Sequence, residues 1–413
     1  MRLGPRPLAL HLATEGWLLQ MSFVGLMPDW TASSGDSPLS RPIRRLVAEH
    51  ARLNPDTVAG GGRALFDRSG LDVAAFVDAL TREAKARMDR LLEGVLRYQN
   101  HPYRRTRPAP PPVWTRGAAA LRDYGGKGPA VLFVPSLVNR AYILDLAEGR
   151  SLLAAAAGSG LRAFLLDWGE PGAAERDYSV DDYVAHVLVP TLAHVEALTG
   201  APPSLVGYCM GGTLAAAAAV LRPDLVARLA LLAAPWDFHA DSAAARAFLA
   251  TFRPVIEGLI AAQGCASVDF LQAMFASLDP TLVGRKFRGF AARDMNTEAA
   301  RRFVELEDWL NDGVPLVANV ARQCLFDWYS DNVTLTNRWR IGGTVIDPAV
   351  IAAPTLAVIP SQDRIVPPES AKALARRIPI CDTRVLDLGH IGMMAGGSAA
   401  ELLYAPLVAW LKE

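Results

Sequence analysis

Three residues of the sequence, Cys209, Asp363 and His390, each follow an apolar run, and in that chain order they can perform covalent acyl chemistry. Cys209 lies in Gly207-Tyr208-Cys209-Met210-Gly211-Gly212, between the apolar run Ser204 to Val206 and an alanine-rich helical stretch, Thr213 to Leu221. That layout is a nucleophile elbow with cysteine in the position serine usually takes. Glycine is needed on both sides because the turn is sharp and side chains there would meet the adjacent strand and helix. The helix that follows aims its N-terminal dipole and free N–H groups at the sulfur, which favours thiolate over thiol.

An elbow of this kind calls for an acid after a late strand and a histidine after the last one. Pro354 to Pro360 reads as a strand, and the loop Ser361 to Pro368 that leaves it contains Asp363, the candidate acid. Thr383 to Leu388 reads as the last strand, followed by Gly389-His390-Ile391-Gly392, so His390 is the candidate base. In these roles His390 takes the proton from Cys209, Asp363 holds the imidazole in the productive tautomer, and the thiolate attacks an acyl carbonyl. The oxyanion then needs two donors. The N–H of Met210 is one, and the other is expected from the loop Ser136 to Val138, centred on Leu137. Asp382 and Asp387 compete with Asp363 but fall within or beside the last strand, where structural roles are expected. His186, His194 and His239 have no matching context, and Cys265, Cys324 and Cys381 read as inert thiols.

The elements that must position these residues are short apolar runs alternating with helical stretches: Ala130 to Val134, Ala163 to Leu166, Ser204 to Val206, Leu229 to Ala233, Thr355 to Ile359 and Val385 to Leu388. Such alternation predicts an α/β fold, a mostly parallel sheet with helices on both faces. Residues 1–112 carry only helical patterns, among them Ile43 to Arg52 and Val73 to Tyr98, and end in an extended Pro/Arg-rich connector, Arg104 to Pro112. The expected division is thus a helical region at 1–112 and a catalytic domain at 113–413. An insertion at about 236–340 in the latter has helical patterning and no strand series, and forms a cap over the site.

The chain has 413 residues, 51% hydrophobic and 20% charged, with 42 basic residues balancing 42 acidic ones. This is the composition of a globular protein with one large core, and it gives no ground for a nucleic-acid partner. Four widely spaced cysteines, with no C-x-x-C pair, suit a reducing cytoplasm and exclude a zinc ribbon. No metal or cofactor motif is present, and the chemistry needs none. Pro7 to Met27 is apolar but interrupted by His11, Glu15 and Gln20, so no membrane span is expected. It reads as an amphipathic or core helix, or as a peripheral apolar contact through Leu10, Trp17, Leu18, Phe23 and Leu26.

Taken together, these residues resemble those of polyhydroxyalkanoate synthases, which use cysteine in a Gly-x-Cys-x-Gly-Gly box on an α/β-hydrolase fold. The resemblance extends through Pro135-Ser136-Leu137-Val138-Asn139-Arg140, Asp167-Trp168-Gly169-Glu170-Pro171 and Asp181-Asp182-Tyr183-Val184. It continues in Glu307-Asp308-Trp309-Leu310-Asn311-Asp312, Ile341-Gly342-Gly343, Asp363 to Pro368 and Gly389-His390-Ile391-Gly392, and so runs from about Gly117 to the C-terminus. It is nearest to the form with the shorter catalytic subunit, while the N-terminal 110 or so residues do not match. The resemblance implies a Cys209-His390-Asp363 triad and a 3-hydroxyacyl-coenzyme A substrate, with the acyl group passed to a growing polyester. It further implies a homodimer, a separate partner subunit, and a place in the cytoplasm at the surface of polymer granules. The rival reading is a cysteine-dependent α/β-hydrolase: a polyester depolymerase, a thioesterase or a dienelactone-hydrolase-like enzyme. A non-catalytic granule-binding protein is a third, but it leaves the triad unexplained.

Overall fold

A computed structural model describes residues 2–24, 73–240 and 243–413. The expected helix Ile43 to Arg52, Leu26 and the Phe23 side chain lie outside the described residues. Contacts divide the chain into two compact units, 1–102 with 279–303, and 103–278 with 304–413.

The second unit is built on an eight-stranded sheet: β1 (Pro112–Arg116), β2 (Ala119–Asp123), β3 (Ala130–Val134), β4 (Arg162–Asp167), β5 (Ser204–Tyr208), β6 (Leu229–Leu232), β7 (Thr355–Pro360) and β8 (Cys381–Leu386). The spatial order is β1-β2-β4-β3-β5-β6-β7-β8. From β4 to β8 every neighbouring pair is parallel, and these strands are the apolar runs expected from sequence. Helical crossovers cover both faces, so the central strands are apolar throughout; all five residues of β3 and of β5 are buried. β1 and β2 form an antiparallel hairpin that joins β4 at the sheet edge and was not expected from sequence. Its first strand is mostly exposed and carries no apolar period. The last strand spans Cys381 to Leu386, two residues earlier than its sequence pattern indicates.

Parallel strands in register bring their C-terminal ends to one edge. Val134 pairs with Gly207, Gly207 with Leu231, and Val358 with both Leu232 and Arg384. Ligand-binding crevices of open α/β sheets form at this edge.

After β5 comes α3 (Met210–Leu221), a helix preceded in the chain by α1 (Leu8–Val24) and α2 (Val73–Asn100) of the first unit, among others. Residues Leu214 to Ala219 of α3 are completely or almost completely buried. Alanine there lets the helix lie close to the sheet, and glycine lets its first turn lie closer still. A Cβ at Gly211 would stand 2.2 Å from the Val134 carbonyl oxygen and 2.5 Å from that of Pro135. One at Gly207 would stand 2.4 Å from Gly212 Cα. An exposed helical Gly→Ala change is normally stabilising by up to about 1 kcal/mol. Gly211→Ala is expected to reverse that sign and cost about 3 kcal/mol, at the top of the overpacking range, read as a lower urea midpoint.

The stretch expected as a cap divides between the units: 279–303 clusters with the N-terminal residues, whereas 236–278 and 304–340 belong to the sheet unit. In the first unit the helix Leu282–Ala291 packs on α2, and a Cβ at Gly94 would stand 2.0 Å from the Phe287 carbonyl oxygen. Glycine thus permits a close helix crossing, sealed by Tyr98 edge-on to Phe287 at 5.7 Å between centroids. α1 is a helix with its polar residues turned inward. His11 and Glu15 are buried, His11 Nε2 meets the Arg6 carbonyl at 3.0 Å, and Glu15 pairs with Arg288, while Leu10 and Trp17 are exposed. Among the described residues no helix is long and apolar enough to cross a membrane.

Candidate functional site

Cys209 occupies the turn between β5 and α3 with φ 56° and ψ −131°. Non-glycine residues rarely adopt this conformation, which costs about 1–3 kcal/mol and is maintained only when the surroundings over-determine it. Here they do. The Cys209 N–H donates to the Leu232 carbonyl at 2.8 Å, and its carbonyl accepts from the Gly212 N–H at 2.8 Å. The sulfur is thereby thrust out at the N-terminal end of α3.

Asp363 and His390 lie in the loops after β7 and β8, and the structure brings them together. His390 Nδ1 donates to Asp363 Oδ2 at 2.6 Å, with both residues buried. The other carboxylate oxygen, Oδ1, accepts from the N–H groups of Ile365 and Val366, each at 2.8 Å. The carboxylate is therefore fixed by its own loop and orients the ring. With Nδ1 committed to Asp363, Nε2 is the imidazole nitrogen left for a further partner. Burial on its own would pull the His390 pKa down, but the charge and hydrogen bonds of Cys209 and Asp363 outweigh it and push the value up to about 10. In a Cys209→Ala variant the sulfur's contribution is gone, so the His390 pKa is expected to fall below that of the parent; a titration of the imidazole resonances by NMR checks this.

The competing acids lie elsewhere. Asp387 Oδ1 accepts from Ser361 Oγ at 3.1 Å and Gln362 Nε2 at 2.8 Å, tying the β7 loop to the end of β8 beside Asp363. Asp382 is inside β8. His186 lies at 3.4 Å from Asp182 on an exposed face, His194 stacks on Trp114, and His239 Nε2 meets the Ser330 carbonyl at 3.0 Å.

The two residues expected to donate to an oxyanion, Met210 and Leu137, are buried and share one apolar cluster against which Cys209 packs. Met210 begins α3, so its N–H points out of the helix end. The loop carrying Leu137 is drawn over that end by the absence of a side chain at Gly211 and is held by Trp168, whose Nε1 donates to the Pro135 carbonyl at 2.9 Å.

Two further residues shape the site without having been assigned a role from sequence. The Tyr208 hydroxyl donates to the His390 carbonyl at 3.1 Å, and its ring lies 5.1 Å from the imidazole. Tyr329 packs edge-on to Phe238 at 4.9 Å, and its hydroxyl is held well above the usual tyrosine pKa by burial, then by the charges of Cys209, Cys324 and Asp363. Tyr208 stands inside the elbow hexapeptide, where adjacency to Cys209 was the only available signal; Tyr329 gave none.

The family described as alpha/beta hydrolase fold matches residues 129–396. Poly(3-hydroxyalkanoate) polymerase subunit PhaC of Synechocystis sp. is 32% identical over 297 residues, covering 68% of this chain and 77% of that one. The subunits of the same name from Haloferax mediterranei and Haloarcula marismortui are each 30% identical over 68% of this chain. The match takes in 58% and 60% of their respective lengths, so this chain spans little more than half of those relatives.

Proposed function

Because the chain belongs to the poly(3-hydroxyalkanoate) polymerase family, on the α/β-hydrolase fold, we propose that it transfers 3-hydroxyacyl groups from coenzyme A thioesters to a growing polyester through Cys209, His390 and Asp363. The observation that supports this reading is the 2.6 Å hydrogen bond of His390 Nδ1 to Asp363, together with Cys209 in a strained turn between β5 and α3.

The chemistry follows from those positions. The Cys209 thiolate attacks the thioester carbonyl, and the developing oxyanion is received by the N–H groups of Met210 and Leu137. The tetrahedral adduct collapses, the carbon–sulfur bond to coenzyme A breaks, and the departing thiolate takes the Nε2 proton of His390. His390, now neutral, accepts the proton of the hydroxyl on a second 3-hydroxyacyl group as that oxygen attacks the Cys209 thioester. An ester bond forms, the Cys209 thiolate is restored beside an imidazolium, and it attacks the coenzyme A thioester at the end of the incoming unit, so that the lengthened chain returns to Cys209 and coenzyme A leaves as its thiol. Cysteine suits this cycle because exchanging one thioester for another is nearly isoenergetic and leaves the acyl group activated for the next hydroxyl. Water must be excluded for chains to grow. Homodimerisation, a separate partner subunit and a location at polymer granules belong to the same proposal.

The test is a paired assay on 3-hydroxybutyryl- and longer 3-hydroxyacyl-coenzyme A, following thiol release while separating polymer from free acid. Polymer dependent on Cys209 supports acyl transfer to a chain. Free acid without polymer would identify cysteine-dependent hydrolysis instead.

A further inference from the structure

The loop that carries the base satisfies the carbonyls on either side of His390 but not its own. The Gly389 carbonyl accepts from the Met393 N–H at 3.0 Å, and the Ile391 carbonyl accepts from Met394 at 3.0 Å and Ala395 at 2.9 Å. Among the described residues the His390 carbonyl meets only the hydroxyl of Tyr208, at 3.1 Å. Tyr208 is the residue before Cys209. Along β5, Leu205 enters one apolar cluster while Val206 and Tyr208 enter another, which also holds Met393, Met394 and Tyr404. Tyr208 thus packs with the base loop, and its ring lies 5.1 Å from the imidazole with 30° between the planes. Burial, then the charges of Cys209, Asp363 and Tyr404, hold its pKa well above the usual tyrosine value, so the hydroxyl stays a donor.

We propose that Tyr208 is a positioning residue that sets the base against the nucleophile: its hydroxyl holds the His390 carbonyl, its ring backs the imidazole, and one peptide bond joins it to Cys209. The inference rests on the acyl-transfer reading above, in which Cys209 and His390 work as a pair. The backbone of Cys209 is fixed by its bonds to Leu232 and Gly212, so the Tyr208 backbone is fixed with it. Asp363 holds the imidazole at Nδ1 alone, which leaves the ring free to swing about that one bond; the ring and hydroxyl of Tyr208 take that freedom away. The stake is large, because a misplacement of about 1 Å can cost about 100-fold in rate. Tyr404 supplies a matched comparison. Its hydroxyl donates to the Met394 carbonyl from the turn Ala400–Tyr404, in the same apolar cluster and equally buried, but beyond His390 along the loop.

Tyr208→Phe keeps the ring and removes the hydroxyl, and Tyr404→Phe does the same at Met394. Each leaves one buried carbonyl without its donor, so similar falls in unfolding temperature are expected. Tyr208→Phe is expected to lower kcat by about 10-fold with KM within about twofold of the parent, whereas Tyr404→Phe stays within about threefold in both. A second readout needs no turnover: the rate at which iodoacetamide alkylates Cys209, followed by mass spectrometry at about pH 6 and about pH 9. At the higher pH a thiol is largely thiolate without help, and at the lower it depends on the neighbouring base. Asp363 and Cys209, the ionisable groups that act on the imidazole, are unchanged in both variants. The ratio of the low-pH rate to the high-pH rate is expected to fall about 5-fold or more in Tyr208→Phe and to stay within about twofold of the parent in Tyr404→Phe. A kcat and a ratio within about twofold of the parent in Tyr208→Phe, or equal losses in the two variants, overturn the positioning role. If the parent releases thiol from no thioester, the acyl-transfer reading fails, and the alkylation ratios still decide whether Tyr208 positions the base.

Discussion

Cys209→Ala is expected to reduce thiol release from 3-hydroxybutyryl-coenzyme A by about 10⁶-fold, the loss seen when a nucleophile that works as a unit with its base is removed. The fold should be retained. The alanine methyl replaces a side chain that projects into the site, and the backbone at this position is held by bonds from Leu232 and to Gly212 that do not involve sulfur. Equal unfolding temperatures combined with lost thiol release would place the whole effect on chemistry. Activity within 100-fold of the parent would mean that Cys209 is not the acyl carrier.

Asp363→Asn is expected to lower kcat by about 10⁴-fold, because an amide in this position holds the imidazole in the wrong tautomer. The native carboxylate accepts from Ile365, Val366 and His390 together. Asparagine can keep Oδ1 on the two backbone N–H groups, so the loop survives while Nδ2 presents protons where His390 Nδ1 needs an acceptor. Removal of the negative charge also takes away part of what raises the His390 pKa, so the pH at which the imidazole loses its proton should move down from about 10. Asp387→Asn is the matched control: its bonds go to Ser361 and Gln362, and it should stay within about 10-fold of the parent. Equal losses in the two variants would make the β7 loop's order, and not the acid's charge, the common cause.

Much of this arrangement was legible in the sequence because the sheet unit obeys local rules. Buried parallel strands must be continuously apolar, so β3, β4, β5, β6 and β7 announced themselves as runs, and the elbow glycines marked the one turn where backbone meets backbone. With Cys209 placed, chain order points to Asp363 and His390, whose Oδ2 and Nδ1 lie 2.6 Å apart in the fold. What sequence did not give depends on partners distant in the chain. The β1–β2 hairpin lies at an edge where Trp114 and Thr115 need no apolar alternation. His11 and Glu15, which interrupt an apolar segment and look like its exposed side, are buried because Arg288 and the Arg6 carbonyl satisfy them, leaving Leu10 and Trp17 outside. The grouping of 279–303 with the N-terminal helices is equally invisible, since it rests on a close crossing at Gly94 that no local pattern encodes. Tyr329 reaches the site from a π-helical turn ending at Trp328, a geometry with no reliable sequence signature.

The central claim is that Cys209 carries a chain that grows by repeated acyl transfer. Brief incubation with limiting 3-hydroxybutyryl-coenzyme A, acid quench and mass analysis of the peptide containing Cys209 tests it most directly. The account predicts a ladder of adducts on that cysteine, successive members differing by one 3-hydroxybutyryl unit, and none on the Cys209→Ala protein. A single acyl unit that decays to free acid without a second member, or adducts on Cys265, Cys324 or Cys381 in its place, would contradict it.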